Sequence, residues 1–428
     1  MTRLTYEDRR RLEALPGTEL QALQLSRLNA MLAAILPHNR NYAEKLSDVK
    51  PPLTSLSQLA ELPFTYKEWL LSSLLAKEMA VNLTWPIERY VRFHQTSGTR
   101  GRPLVVIDTA EDWQWWLDGW QFVLDGAQLQ AGDRVLMAFS FGPFIGFWTA
   151  FEAAVQRGCL ALPGGGLSSL ARLDLMRTQG VKALFCTPSY ALHLAEVAAG
   201  HKLNVASLGV EWLILAGEPG GSIPATRKLL EQTWQAQIVD HAGATEIGPW
   251  GYGDREGRGL HVLETEFIAE FLSVATGEPA GEGELSELVL TNLGRWGNPV
   301  IRYRTGDLVR PIWRRPGHNR FVLLEGGVLG RADDMVVIRG VNVFPSAIEQ
   351  IIRGFPEVIE YRVTAFQVAG MDQLRVEIED RLSQPQRVAS ELQLRLGLKL
   401  EVEGVPLGTL PRSDGKGQRF LDHRKEAV

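Results

Sequence analysis

The sequence predicts an α/β protein. A large N-terminal domain, with mainly parallel sheets flanked by helices plus a β-rich subdomain, precedes a small mobile C-terminal α/β domain. Three observations carry that prediction. From about Arg89, short apolar runs alternate with amphipathic segments, which is the pattern of strand–helix–strand units. From about Glu264 to Val309 the helices drop out and shorter strands succeed one another through turns. Past Arg331 a β-α-β-β-α order is long enough to form a unit of its own. A length of 428 residues suits two or three domains at roughly 100–200 residues each. The boundaries are placed at 1–331 and 332–428, with the β-rich subdomain at about 264–329.

Along the chain, Leu20–Leu46 carries apolar residues at helical spacing (Leu25, Leu28, Met31, Leu32, Ile35) up to Pro37, and so predicts an outer helix. The runs RVLMAFS (134–140), CLALPGG (159–165), VKALFCTPS (181–189), VEWLILAGEP (210–219) and QIVDHAGATE (237–246) each follow a helical pattern. Strands in regular alternation with helices imply a parallel sheet covered on both faces. Three of them end in turn-forming residues: Ser140–Gly142, Gly217–Gly221 and Gly243–Glu246. Ligands of such sheets sit at strand carboxyl ends, so these loops are the place to look for a site. FIAEFL, GEGELSELVLTNL and NPVIRYRTGDLV are the strands of the β-rich part. The last domain is predicted from MVVIRGVNV, the helix SAIEQIIRGF, the paired strands IEYRVTAFQV and QLRVEIED, and a helix around ELQLRLGL.

Composition narrows the function. Hydrophobic residues make up 45% and charged residues 22%, the proportions of a folded soluble protein. A formal charge of −5 argues against a dedicated nucleic-acid binder. Two cysteines, Cys159 and Cys186, supply neither a disulfide framework nor a four-cysteine zinc site. The start of the chain, with YEDRRRL at Tyr6–Leu12, has no uninterrupted apolar core of a secretory peptide. The uncharged stretch Val135–Phe151 is short for a membrane span and contains Gly142, Pro143 and Gly146. A cytoplasmic protein that does not enter the membrane is expected.

Five motifs carry chemistry. His94-Gln-Thr-Ser-Gly-Thr-Arg-Gly-Arg-Pro103 is a loop rich in hydroxyls and glycine, suited to wrapping a polyphosphate, with Arg100 and Arg102 adding positive charge. It is not a Walker A loop, since no Gly-Lys-Ser/Thr follows. His241-Ala-Gly-Ala-Thr-Glu246 ends a strand on an acid able to hold Mg²⁺ beside substrate phosphates, or merely to sit at a helix start. In Tyr303-Arg-Thr-Gly-Asp307 a strand delivers Asp307 into a turn, where it can accept from ribose hydroxyls or close an Asx-turn. Gly330-Arg-Ala-Asp-Asp-Met335, with Arg339–Pro345 and Glu349, marks a polar connection between domains. Leu410-Pro-Arg-Ser-Asp-Gly-Lys416 presents a lysine on a Pro/Gly loop.

In this order the five motifs resemble the acyl-adenylate-forming superfamily of AMP-forming ligases. The similarity is greatest to the phenylacetate–CoA ligase family, through SGTRGRP, CTPSYALHLAE (186–196), AGEPGGSIP (216–224) and GRADDMVVIRGVNVFPSAIE (330–349). It runs from about Gln21 to Leu421. The resemblance implies that Thr96, Ser97, Gly98, Thr99 and Gly101 hold the ATP phosphates. Gly217, Glu218 and Pro219 would border the adenine, with His241, Ala242 and Gly243 beneath it and the acyl group. Thr245 and Glu246 would contact phosphate and Mg²⁺, Asp307 would bind the ribose, and Arg331 would lie on ribose or phosphate. Asp333 resembles the hinge about which the small domain turns, and Lys416 the lysine that stabilises charge during adenylation.

The expected activity is ATP-dependent conversion of a carboxylic acid to an acyl-AMP, then thioester formation with coenzyme A, releasing AMP and pyrophosphate. Transfer to a carrier-protein thiol or an amine, or nucleotide and acyl binding without turnover, are the alternatives. ATP, Mg²⁺ and coenzyme A are the implied cofactors, and a homodimer is allowed. The run Phe139, Phe141, Phe144, Phe147 and Trp148 suggests an aryl or arylacetic acid; Phe141 and Phe144, flanking Gly142-Pro143, are the chosen pocket residues. Trp113, Trp115 and Trp116 are expected to pack a helix on the sheet. Three departures from the family pattern stand out. Arg102 replaces a frequent lysine, and Ala242 a frequent aromatic. Of a zinc site common in close relatives (a cysteine near Asp254, a histidine at His261, cysteines near Arg315 and Gly317), only His261 remains. No zinc is expected, with the subdomain held by packing alone.

Overall fold

The structure, a computed structural model, describes residues 4–71, 80–96, 103–139, 141–313, 318–332, 336–338, 341–368, 371–412 and 419–424. Four helices open the chain: α1 (Tyr6–Glu13), α2 (Gly17–Ile35), α3 (Arg40–Lys45) and α4 (Lys67–Leu71). The apolar stripe of α2 does what its spacing predicts, burying Leu20, Leu28, Met31, Leu32 and Ile35. A hairpin of β1 (Tyr90–Gln95) and β2 (Val105–Thr109) follows, then α5 (Ala110–Gly126). Thr109 caps that helix in a reciprocal capping box with Asp112. Trp113, Trp115 and Trp116 on α5 are buried in the main core, as expected, and Trp120 of the same helix joins them.

The strand–helix alternation then unfolds in full: β3 (Arg134–Met137), α6 (Ile145–Arg157), β4 (Leu160–Pro163), α7 (Ser169–Gln179), β5 (Ala183–Cys186), α8 (Pro188–Gly200), β6 (Trp212–Ala216), α9 (Pro224–Trp234) and β7 (Gln237–Ala244). Strands β8 (Gly248–Gly253) and β9 (Gly259–Val262) turn back antiparallel. The β-rich stretch comprises β10 (Phe267–Ser273), β11 (Ser286–Asn292), β12 (Tyr303–Val309), β13 (Pro311–Ile312), β14 (Leu323–Glu325) and β15 (Gly330–Arg331). Its strands divide between two sheets. One has the order β10-β11-β12-β15, while β14 and β13 extend the large sheet, whose order is β13-β14-β9-β8-β7-β6-β5-β3-β4. Pairing of Leu323 with His261 splices the end of the β-rich stretch onto the parallel core. In the parallel part β3 has β4 on one side and β5 on the other, so the chain reverses direction there and leaves a crevice at the carboxyl ends.

Beyond residue 335 the run MVVIRGVNV folds as a hairpin, β16 (Val336–Ile338) against β17 (Val341–Val343), where a single strand was expected. Val336, Ile338 and Val343 all enter one core, so the ribbon serves the same face that one strand would. Then come α10 (Pro345–Ile352), β18 (Val358–Val368), β19 (Met371–Asp380), α11 (Pro385–Leu396), β20 (Glu401–Gly404) and β21 (Phe420–Asp422). The sheet order is β20-β19-β18-β21, and both short outer strands run parallel to their neighbours. This unit has its own cluster of buried aliphatic residues, and α10 lies against α9. Among the described residues no helix is long and apolar enough to cross a membrane.

Candidate active site

The turn between β7 and β8 carries Glu246, which is buried. The hydroxyl of Tyr303, at the start of β12, donates to its Oε1 at 2.8 Å. Lys67 Nζ, from the first residue of α4, lies 3.6 Å from the same oxygen. Burial, reinforced by the Glu246 carboxylate, keeps the Tyr303 phenol well above its usual pKa, so it stays a donor. Four residues along the strand, Asp307 Oδ1 is 3.1 Å from Arg331 Nη1, which also donates to the Thr305 carbonyl at 2.9 Å. Gly306 between them has φ +73°, and a Cβ there would lie 2.8 Å from Arg331 Nη2, so only glycine lets the guanidinium lie across the strand. Glu246, Asp307 and Arg331 therefore belong to one cluster built around Tyr303.

Arg295, wholly buried, ties a third element to this cluster. It forks Asp108 on β2 at 2.6 and 2.9 Å and donates to the Thr245 carbonyl at 2.9 Å. The β1–β2 hairpin is thereby fastened to the turn holding Thr245 and Glu246. At the base of the loop, the Gln95 N–H donates to the Pro143 carbonyl at 2.8 Å. Thr96 closes on Leu104 twice, through its N–H and by accepting at its hydroxyl oxygen at 3.0 Å. His94 stacks on Trp113, and burial pushes its imidazole down to about 4, leaving it neutral. Ser97, Gly98, Thr99, Arg100, Gly101, Arg102, the hinge position Asp333 and Lys416 lie outside the described residues.

At the ends of β6 and β7, Ala216 pairs with His241. Gly217, with φ +97°, turns the chain into Glu218-Pro219. The Glu218 carboxylate accepts the Ser189 N–H at 2.7 Å in the first turn of α8, and burial raises its pKa. That side chain is anchored to a helix. His241 is buried against Trp120, with ring centroids 4.1 Å apart, and its Nδ1 is 2.7 Å from the Gly251 carbonyl oxygen. Burial takes its pKa to about 4. Ala242 pairs with Gly251, and a Cβ on Gly243 would crowd the Gly248 carbonyl at 3.0 Å.

Phe141 and Phe144 follow β3 at the crevice where the sheet order reverses, and both are half-buried. Phe141 meets Trp148 and Phe151 edge-on, with centroids at 5.0 and 5.6 Å, and Gly165 at the end of β4 makes room for its ring. Phe144 approaches Phe147, which stacks on the buried Phe139 at 4.0 Å. The ring contacts of the aromatic run thus fall into two groups, Phe141 with Trp148 and Phe151, and Phe139 with Phe147 and Phe144.

One sequence expectation is corrected. The subdomain around His261 is not held by packing alone. His261 Nε2 lies 3.1 Å from Asp254 Oδ1 and its Nδ1 3.1 Å from the Phe321 carbonyl oxygen. Arg258 forks the same Asp254 at 3.0 and 3.2 Å. Although burial pushes the Asp254 carboxyl up, the His261 and Arg258 hydrogen bonds outweigh it and hold the group far below the usual range. An aspartate where a cysteine was expected has turned the lone histidine into part of a polar clamp. Among the described residues no group of three or more His, Cys, Asp or Glu side chains is placed to hold a metal ion. A Mg²⁺ shared with substrate phosphates needs less, one or two carboxylates, and Glu246 fits because both its contacts fall on Oε1.

Residues 340–424 match the AMP-binding enzyme C-terminal domain. Phenylacetate–coenzyme A ligase of Thermus thermophilus is 30% identical over 97% of this chain and 99% of its own length. The chain belongs to the phenylacetate–coenzyme A ligase family. Its fold and chemistry are those of an AMP-forming acid–CoA ligase. Among solved structures, 2-hydroxyisobutyryl-CoA ligase in the postadenylation state with R3-HIB-AMP is 27% identical and covers 99% of this chain and 94% of that one, with a TM-score of 0.92. The same ligase in the thioesterification state, with 2-HIB-AMP and CoA, covers equal shares at 28% identity but scores 0.74. The present arrangement of the two units is thus like the postadenylation one.

Lys67, Arg295 and the Tyr303 hydroxyl were missed in the sequence. Lys67 stands in FTYKEWL, a segment with no glycine or repeated charge to single it out. Arg295 resembles any surface arginine until its partner Asp108, far away in sequence, is found.

Proposed function

We propose that this family member activates an aryl or arylacetic acid, binding it against Phe141 and Phe144. The observation that carries the reading is the meeting of Glu246 with Tyr303 and Lys67, with the Asp307–Arg331 pair further along the strand that Tyr303 opens. In the first step a carboxylate oxygen attacks the α-phosphorus of ATP, a P–O bond forms, and pyrophosphate leaves. In the second a thiol sulfur attacks the acyl carbon and AMP leaves. The first transition state is strongly anionic, so positioned charge is the main need. Lys67 supplies a cation beside Glu246, and the Tyr303 hydroxyl fixes the orientation of that carboxylate. Asp307 accepts from the ribose hydroxyls while Arg331 holds it in place. The neutral, buried His241 and Ala242 form a floor without charge, suited to an apolar acyl group. Thr96 and its loop, Gly217–Pro219, Gly243 and Thr245 contribute backbone and hydroxyl donors around the nucleotide. Glu246 would hold Mg²⁺ through Oε2, and the ion would neutralise phosphate charge. Asp333 is the proposed hinge, and the unit beyond residue 331 the part that turns.

Pyrophosphate exchange with a panel of arylacetic, benzoic and short hydroxy acids tests the acid, and thioester formation on adding CoA tests the acceptor. Exchange supported only by the short hydroxy acids would overturn the aryl assignment. Lys416→Ala is expected to cut acyl-AMP formation by roughly two to three powers of ten, the usual worth of a positioned charge, while sparing thioester formation from supplied acyl-AMP. Equal loss in both half-reactions would contradict its role.

A further inference from the structure

Where the C-terminal unit meets α8, charged and apolar side chains together surround a cavity of about 330 Å³. Ser189, Leu192, His193 and Glu196 line it from α8, and Arg353, Glu360, Arg412 and Arg419 from the C-terminal unit. Arg412 bridges the two sides. Its Nη2 lies 2.7 Å from Glu379 Oε2 and its Nη1 3.2 Å from Oε1, while its Nε donates across the boundary to Glu196 Oε2 at 3.3 Å. Glu379, wholly buried on β19, also accepts the N–H groups of Gly408 and Leu410 at 2.9 and 2.6 Å. The segment leading into Arg412 is thus rigidly held within its own unit, whereas the bond to Glu196 belongs to the interface. Burial raises the Glu196 carboxyl above its usual pKa, and Arg412 across the boundary opposes part of that rise.

We infer that Glu196 is a positioning residue for the adenylation half-reaction, latching the C-terminal unit through Arg412 in the arrangement seen here. The inference rests on the two-step reading above and goes beyond it. The present arrangement is like the postadenylation state of a related ligase and less like its thioesterification state, so the latch is a contact of one state. A wet, charged interface suits that use. Its side chains are about a quarter (Arg412) and a third (Glu196) exposed, so each regains water cheaply on separation, and the contact biases the equilibrium without freezing it. Among the described residues no hydrogen bond or ion pair joins Glu196 to Glu379 or to Glu246, Tyr303 and Asp307, so changing it removes no bond from either framework.

The test compares wild type, Glu196→Asp, Glu196→Gln and Glu196→Lys in two assays: acid-dependent pyrophosphate exchange, and thioester formation from supplied acyl-AMP and CoA. Exchange should fall roughly threefold for Glu196→Gln and tenfold or more for Glu196→Lys, where like charges meet. Glu196→Asp should recover much of the loss. Thioester formation should hold or rise, with unchanged thermal unfolding. Equal losses in both assays, or full exchange by Glu196→Lys, would overturn the latch while leaving the activity standing. Absence of exchange by wild type with every acid would overturn the two-step reading and the latch together.

Discussion

Two arginine–carboxylate pairs in this molecule share a chemistry and differ in setting. Arg295 and Asp108 are both wholly buried, joined by a double hydrogen bond, and fasten the β1–β2 hairpin to the turn of Glu246. Arg412 and Glu196 are part-exposed, joined by one bond, and link a unit that has its own core to the rest. A buried pair cannot part without stranding a charge in a medium that solvates it poorly, so it acts as a scaffold. A pair at a wet interface can part at small cost, so it acts as a catch. Under the latch proposed above, the first pair stays closed through both half-reactions while the second opens between them.

The sharpest way to break the comparison is Asp108→Asn, which leaves Arg295 buried without its counter-charge. It should destabilise the protein by about 3–5 kcal/mol in urea unfolding. A loss below about 1 kcal/mol would place this pair in the class of exposed ones. Next in size is Lys67→Ala, which removes the cation beside Glu246 without touching a core. Pyrophosphate exchange should drop roughly ten- to a hundredfold with little change in unfolding, and an unaltered exchange rate would remove Lys67 from the site.

The smallest effect concerns a third pair, the clamp of Asp254 by His261 and Arg258. Because the folded carboxyl sits far below its ordinary pKa, its contribution is fully present above the unfolded value of about 4. It is lost as the pH falls below that value towards the depressed folded one. Asp254→Asn should cost about 1–3 kcal/mol at neutral pH. The gap to wild type should narrow in unfolding curves taken below about pH 4. A gap that widens with acid would mean the carboxylate is not stabilised by its neighbours.

Several parts of the site were legible because they are local. HAGATE places an acid at the end of an apolar run, and the strand that precedes it forms from its own residues. Asp307, expected in a turn, instead lies inside β12, because the strand continues to Val309 and Asp307 pairs there with Arg331. The parallel sheet was legible for the same reason, since alternation of strand and helix repeats over short distances. The split of the β-rich stretch between two sheets was not. Whether β14 pairs with β9 or with β12 depends on the whole surface each buries, and nothing in the segment 323–325 records that choice. The subdomain near His261 was misjudged because the sequence showed which zinc ligands were missing and not what Asp254 would do once folded beside the histidine.

By itself, then, the chain's sequence determined its element types, the family of its motifs and the positions of its chemistry-bearing loops, because periodicity and turn-forming residues act within a few positions. Only the tertiary structure decided which charges meet. Glu246 with Tyr303 and Lys67, Arg295 with Asp108, and Arg412 with Glu196 are contacts between residues far apart in sequence. The strength of each depends on how much water the surrounding fold excludes, a quantity that no single segment carries.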